Sequence, residues 1–219
     1  MPKIRSIKFS YNYLDDNKLL KKLEKIKFKQ LKELNLSNNE IIKIDFLERI
    51  DFKDLEILNL SCNEINDLSI FDKVKFKQLK ELNLSNNKLS DSSGLNLWDF
   101  KDLEVLNLSH NELEDIEILL NYLQLNQLIE LDLSFNSIEE AYSLRNVDFK
   151  KIKKINLRNN LLDLNYYDEL YDDDISFIKS ILKNDNFIKL KELDLRENDI
   201  THYACFLEDL ELLKKNTKN

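Results

Sequence analysis

Glycine and proline each occur once in 219 residues, as Gly94 and Pro2. Turns therefore cannot lean on either, and a glycine-rich loop that cradles phosphate is excluded. Asparagine, which tolerates left-handed backbone and bonds to nearby main chain, has to take over that work. Cysteine occurs twice, at Cys62 and Cys205. They lie far apart, so disulfide caps are out of reach, and the scarcity points to a reducing, cytoplasmic setting. The two histidines, His110 and His202, offer little chemistry. His202 and Cys205 stand three apart, close enough to share a helix face, but nothing nearby would orient a base. No cysteine and histidine set has zinc spacing. The chain reads as a non-enzyme that needs no cofactor and no metal.

Long apolar runs are missing too. Nothing approaches the roughly 20 residues of a membrane span, and the opening MPKIRSIKFS has no stretch of signal-peptide length, so no membrane partner is expected. The balance of 33 basic and 41 acidic residues gives a net charge of −8. A sequence-independent nucleic-acid binder needs the opposite sign, so no nucleic-acid partner is expected either.

What is there is one pattern written eight times. Leu31, Leu34, Leu36, Asn39 and Ile41 define it, and the same spacing starts at Ile4, Leu55, Leu79, Leu103, Leu128, Ile152 and Leu190. A period of about 24 residues sustained this long means a solenoid whose coils bury their apolar sides against one another. Alternation at Leu34 and Leu36 predicts a half-buried strand, with Glu33, Asn35 and Ser37 pointing outward. The column Asn12, Asn39, Asn63, Asn87, Asn111, Asn136, Asn160 and Asn198 predicts buried amides that satisfy main chain where it leaves the strand. Ile41, Ile44, Leu47 and Ile50 predict short helical or 3₁₀ turns on the return path. Phe28, Phe52, Phe76, Phe100, Phe149 and Phe187, with Leu125 substituting once, predict a buried spine, and Trp98 belongs to a neighbouring apolar column.

These residues resemble the leucine-rich repeat family over nearly the whole chain, from Ile4 to Ile200. The resemblance implies a right-handed curved α/β solenoid with a parallel sheet on its concave side. Members without disulfide caps, such as the repeat regulators of protein phosphatase 1, and the repeat blocks of internalins are similar. The expectation is a single domain over 1–219 and a monomer. Residues 15–27 should form a short helix, and 201–214 a helix that caps the last coil. The role it implies is a protein-interaction module, an intracellular adaptor or scaffold whose protein partner the sequence does not identify. A targeting segment of a larger enzyme and a secreted effector or adhesin stay open beside it.

The middle of the chain is monotonous. KFKQLKELNLSNN at 27–39 recurs unchanged at 75–87. Asn35, Asn59, Asn83 and Asn107 form one outward column, Ser37, Ser61, Ser85 and Ser109 another. Lys32, Glu56, Lys80 and Glu104 alternate in sign and predict a lateral ion-pair ladder.

Departures from the pattern point to function, because the fold does not require them. The period stretches to 38 residues between Ile152 and Leu190, with an insertion at 163–189. It carries Tyr166, Tyr167 and Tyr171 beside Asp168, Glu169, Asp172, Asp173 and Asp174. A solvated loop, a protein-binding lip for a basic partner and a calcium loop compete there, the last without its glycine or its alternating acids. Late repeats also change outward chemistry, with Asp132 and Asp194 for Asn, and Arg158 and Arg196 for Ser. Each arginine either anchors a partner or pairs internally, Arg158 with Asp132 or Asp194. Tyr11 and Phe135 are large groups at a position that is otherwise small or polar, where binding and local packing both fit.

Overall fold

Three alternating residues are enough for a strand here, because each inner strand finds a partner on either side. The computed structural model describes residues 4–15, 23, 30–74, 76–90, 100–122, 125–139, 143–144, 147–162 and 187–198. Eight strands form one parallel sheet in chain order: β1 (Ser6–Lys8), β2 (Glu33–Asn35), β3 (Ile57–Asn59), β4 (Glu81–Asn83), β5 (Val105–Asn107), β6 (Glu130–Asp132), β7 (Lys154–Asn156) and β8 (Glu192–Asp194). Their central residues, Ile7, Leu34, Leu58, Leu82, Leu106, Leu131, Ile155 and Leu193, pair in perfect register. Successive coils therefore stack leucine on leucine. Hiding one such side chain from water is worth roughly 1.5–3 kcal/mol. One apolar cluster runs unbroken from Leu14 to Leu195.

The return paths are built as expected. 3₁₀ turns cover Asp45–Glu48 and Ser69–Asp72, and one short α-helix, α1, covers Glu117–Tyr122. The second 3₁₀ turn and α1 are each preceded by an aspartate that accepts a main-chain N–H two residues on, Asp67 from Ser69 at 2.8 Å and Asp115 from Glu117 at 2.6 Å. This bond satisfies one of the donors left open where a helix begins. Phe52, Phe76, Phe100, Phe149 and Phe187 are buried with Leu125 among them, and Phe149 meets Phe187 edge-on at 5.6 Å. Phe28 and Trp98 lie outside the described residues. So do the expected cap at 201–214 and residues 163–186 of the insertion. Of the expected helix at 15–27, Leu23 is described; it is helical and wholly buried.

The asparagine column is a set of stitches between coils. The Asn87 amide donates to Leu84 O at 2.9 Å, Ser85 O at 3.3 Å and, one coil back, Leu60 O at 3.1 Å. Its Oδ1 accepts the N–H of Ile65, also in the preceding coil, at 3.0 Å. Asn63, Asn111, Asn136 and Asn160 repeat the arrangement.

One expectation fails. Ser37, Ser61, Ser85, Ser109 and Ser134 do not point outward; all five are buried. Strict alternation would place residue 37 on the face of 33 and 35, but β2 ends at Asn35 and the chain is already turning. The outward amides drive that turn. Asn35 Oδ1 accepts the N–H of Ser37 at 2.9 Å, and Asn59, Asn83 and Asn107 do the same for Ser61, Ser85 and Ser109. What reads as a plain surface column is thus a row of turn-forming side chains.

Candidate functional site

The bend ends on a residue with positive φ in every repeat. Tyr11, Asn38, Cys62, Asn86, His110, Phe135, Asn159 and Glu197 all lie between 53° and 61°. Such backbone costs an ordinary residue about 1–2 kcal/mol and is easiest for Gly or Asn. With glycine nearly absent, Asn38, Asn86 and Asn159 are the inexpensive solutions. A phenylalanine or histidine there is a choice that the fold does not ask for. The position is held in place regardless: Phe135 N–H donates to Arg158 O at 2.8 Å and His110 N–H to Ser134 O at 2.9 Å.

Because coils stack in register, these residues form a ridge along one margin of the sheet. In the last four coils the ridge carries chemistry. His110 and Phe135 stack at 4.2 Å between ring centres, with planes 7° apart. From the next coil the Arg158 guanidinium lies over the Phe135 ring, 5.5 Å from its centre. Arg158 Nη2 donates to Glu197 Oε1, and Asn159 Nδ2 donates to Glu197 Oε2 at 3.0 Å. Those two donors, the arginine first, hold the Glu197 carboxyl below its ordinary value.

Arg158 therefore pairs internally, but with Glu197 and not with Asp132 or Asp194. It occupies the column where five earlier coils bury serine, and its Nε is buried without a hydrogen-bond partner. An unsatisfied buried donor is a cost that the serine would avoid. Arg196 is closed as well: its Nε donates to Asp194 Oδ1 at 2.9 Å, and Nη2 donates to Oδ2 of the same residue. That fork pushes the Asp194 carboxyl down.

Asp132 differs from the other acids on the late strands. It keeps the turn bond, accepting from Ser134 N–H at 3.0 Å and Ser134 Oγ at 2.6 Å, and it accepts from Asn156 Nδ2 at 3.2 Å. Among the described residues no cation stands within ion-pair distance of it. By contrast Lys154 lies between Glu130 at 3.3 Å and Glu192 at 4.0 Å, and its ammonium pKa is raised, chiefly by the hydrogen bond to Glu130.

The ladder expected from Lys32 to Glu104 is shorter than its sequence. Glu56 takes Lys32 and, at 3.7 Å, Lys80, and its carboxyl is held down mainly by Lys32. Among the described residues no Lys80–Glu104 pair forms. Lys8 and Glu33 add a pair at 2.9 Å that repeat-to-repeat inspection did not single out.

Asp132, Phe135, Arg158, Asp194 and Arg196 come together on coils six to eight. Tyr11, 76% exposed, stands five coils away, about 24 Å at ordinary strand spacing. Tyr166, Tyr167, Tyr171, Asp172 and Asp173 lie outside the described residues. Sequence reasoning missed His110 and Glu197 as members of the ridge. The signal was present, since both share a column with Phe135, and neighbouring coils bring equivalent side chains side by side.

Comparison with known proteins agrees with this architecture. The family description "Leucine Rich repeats (2 copies)" matches residues 29–73 and 77–121, and "Leucine Rich repeat" matches 188–201. Among curated proteins none matches. Among solved structures, internalin C2 of Listeria monocytogenes superposes with a TM-score of 0.67 at 19% identity, covering 93% of this chain and 76% of its own. A leucine-rich repeat protein of Leptospira interrogans gives 0.62 at 20% identity, covering 96% of this chain and 53% of its own. A plant peptide hormone receptor in complex with its peptide, RGF2, gives 0.58 at 21%, covering 90% and 28%. The chain thus spans about half the Leptospira protein and about a quarter of the receptor chain. At these identities the likeness speaks for the fold. The matched family descriptions, with eight in-register coils and their asparagine stitches, show that the chain belongs to the leucine-rich repeat family.

Proposed function

We propose that this chain is a non-catalytic protein-binding module, a cytoplasmic adaptor or regulatory scaffold that acts as a monomer. Its contact zone is the concave face of β5–β8 with the segment Tyr166–Asp174. One observation carries the reading: the residue that ends each strand is Asn on β2–β5 and becomes Asp on β6 and β8, while the ridge beside it turns aromatic and charged from His110 to Glu197. Uniform small amides lack the large anchors that carry interface energy, whereas aromatic and arginine side chains supply them. The plant receptor of the same fold holds a peptide hormone, so such a solenoid is able to present a binding face. Among the described residues no group of three His, Cys, Asp or Glu is placed to hold a metal ion, and no helix is long and apolar enough to cross a membrane.

Quantitative affinity capture from the source cell tests this. The intact protein is compared with a variant carrying Arg158→Glu, Arg196→Glu and alanine at Tyr166, Tyr167 and Tyr171. Charge reversal sets each new carboxylate against Glu197 or Asp194 and breaks both clips. The expected result is loss of the captured partners by the variant. Equal recovery by both proteins removes this contact zone.

A further inference from the structure

Resting on the protein-binding reading, and extending it toward the middle of the sheet, we infer that coils three to six receive a helix of the partner protein that carries two consecutive basic residues between apolar ones. The first observation is how each strand begins. One carbonyl serves two N–H groups of the next coil: Lys80 O accepts from Glu104 at 2.8 Å and Val105 at 2.9 Å, and Glu104 O from Ile129 at 2.7 Å and Glu130 at 3.1 Å. Two residues set against one is the arrangement of a bulge, and here neither side chain of such a pair enters the core. Each coil thus shows two side chains at this place, in two rows across the sheet. Most are charged. Ile57, Val105 and Ile129 are apolar and half-buried where sister coils carry Glu or Lys, so the fold does not ask for them.

The second observation is which charges are already matched. Glu33 is paired by Lys8, Glu56 by Lys32 and Lys80, and Glu130 and Glu192 by Lys154. Among the described residues Glu81 and Glu104, which border Val105, form no ion pair. Lys80 precedes Glu81 and faces Glu104 across the ladder, but its ammonium lies 3.7 Å from Glu56. On coils three to six the two rows hold four acids, Glu56, Glu81, Glu104 and Glu130, against the single base Lys80. The apolar spots therefore sit in a negative field, which selects a basic partner.

Spacing selects a helix. Ile57, Glu81 and Val105 are register partners on consecutive strands, at about 0, 4.8 and 9.6 Å across the sheet. Residues i, i+3 and i+7 of a helix fall at about 0, 4.5 and 10.5 Å, whereas one face of an extended strand repeats only every 6.7 Å or about that. A helix laid across the coils sets apolar residues i and i+7 on Ile57 and Val105. Basic residues i+3 and i+4 then straddle its stripe, toward Glu81 and toward Glu104 one row aside. Ile129, beside Glu104 on the next coil, takes the apolar residue that follows. Lys153 and Lys191 continue that row beyond Ile129, so the basic pair belongs over coils four and five.

The test selects phage-displayed alanine-based helices, randomised along one face, on the immobilised full chain. A parallel selection uses a variant carrying Glu81→Lys, Glu104→Lys and Val105→Glu. Each substitution copies the residue of a sister coil at that place, Lys154, Lys80 and Glu33 in turn. The expected result is enrichment, on the parent alone, of helices with two consecutive basic residues and apolar residues at i and i+7. Synthetic copies should bind the variant at least about ten-fold more weakly, and their affinity for the parent should fall as salt rises. Should the variant lose its strand signal in circular dichroism, Glu81→Gln with Glu104→Gln serves, since both keep the side-chain size. Enriched helices without a basic pair, helices held equally by parent and variant, or no enrichment at all each overturn the inference. None of these outcomes touches the contact zone on β5–β8, which stands or falls with the capture experiment on Arg158, Arg196 and the three tyrosines.

Discussion

At the scale of single residues, one amide per coil does more than any other polar group. Asn87 closes four hydrogen bonds, two of them to the coil before it. Replacing it by leucine, a side chain of similar size, leaves the N–H of Ile65 and the carbonyls of Leu60 and Leu84 without that partner in a place that water does not reach. Each stranded group costs about 1–3 kcal/mol, so Asn87→Leu is expected to lower stability by at least about 2 kcal/mol in urea unfolding. Unchanged stability would show that the bonds are incidental. Asn12 is the control. It is exposed, and its Nδ2 bonds within its own coil, to Ser10 O at 2.8 Å. Asn12→Leu should therefore change stability by only a fraction of that amount. From Asn63 to Asn160 the column was legible in the sequence, since an amide recurring at fixed distance after the strand has one main-chain duty; Asn12, expected buried with the rest, is exposed, and Asn39 and Asn198 are half-buried. The serine column was not. Period-two logic places residue 37 beside Asn35, and only the three-residue strand and the left-handed bend at Asn38 turn it inward.

At the scale of the element, the last two strands are tied together by side chains that earlier strands lack. Main-chain bonds join them as elsewhere, with Leu157 N–H to Asp194 O at 2.8 Å and Asn159 N–H to Arg196 O at 2.9 Å. Arg158 and Glu197 add a clip across the same gap. The Glu197 carboxyl titrates lower when folded than when unfolded, because it loses its arginine bond on unfolding. The sign follows from linkage: the stabilisation is complete above the unfolded carboxylate range, around pH 4–5, and is lost as pH falls through the folded value. Thermal melts of the parent and of Arg158→Gln should therefore differ at neutral pH and converge toward pH 3. A difference that stays constant with pH means that the clip contributes nothing, as happens for many exposed pairs. Sequence reasoning recognised Arg158 as unusual but offered Asp132 and Asp194 as its mates. It missed Glu197 because period-two logic keeps Arg158 on the face of Asn156 and Asp194, whereas the bend after β7 carries it to the margin where Glu197 stands.

At the scale of the whole molecule, stability is distributed along one dimension. Each strand pairs only with the one before and the one after it, so a coil contributes its own packing and two interfaces. The internal copy makes this testable without designing any new junction. Because residues 27–39 and 75–87 are identical, removing 40–87 joins Asn39 to Lys88, just as Asn87 precedes Lys88 now. The shortened chain keeps every local sequence that the repeat requires, and it keeps the His110–Phe135–Arg158–Glu197 ridge on its last four coils. It should fold to a six-stranded sheet and unfold in one transition, with a urea m-value lower by about a quarter in proportion to the surface it no longer buries. A protein built as a closed globule would not survive loss of these residues. If the shortened chain fails to fold, or melts in two steps, the coils depend on more than their neighbours. If it folds and still captures the partners of the parent, then β3 and β4 contribute nothing to the binding face, and these uniform coils serve as a platform.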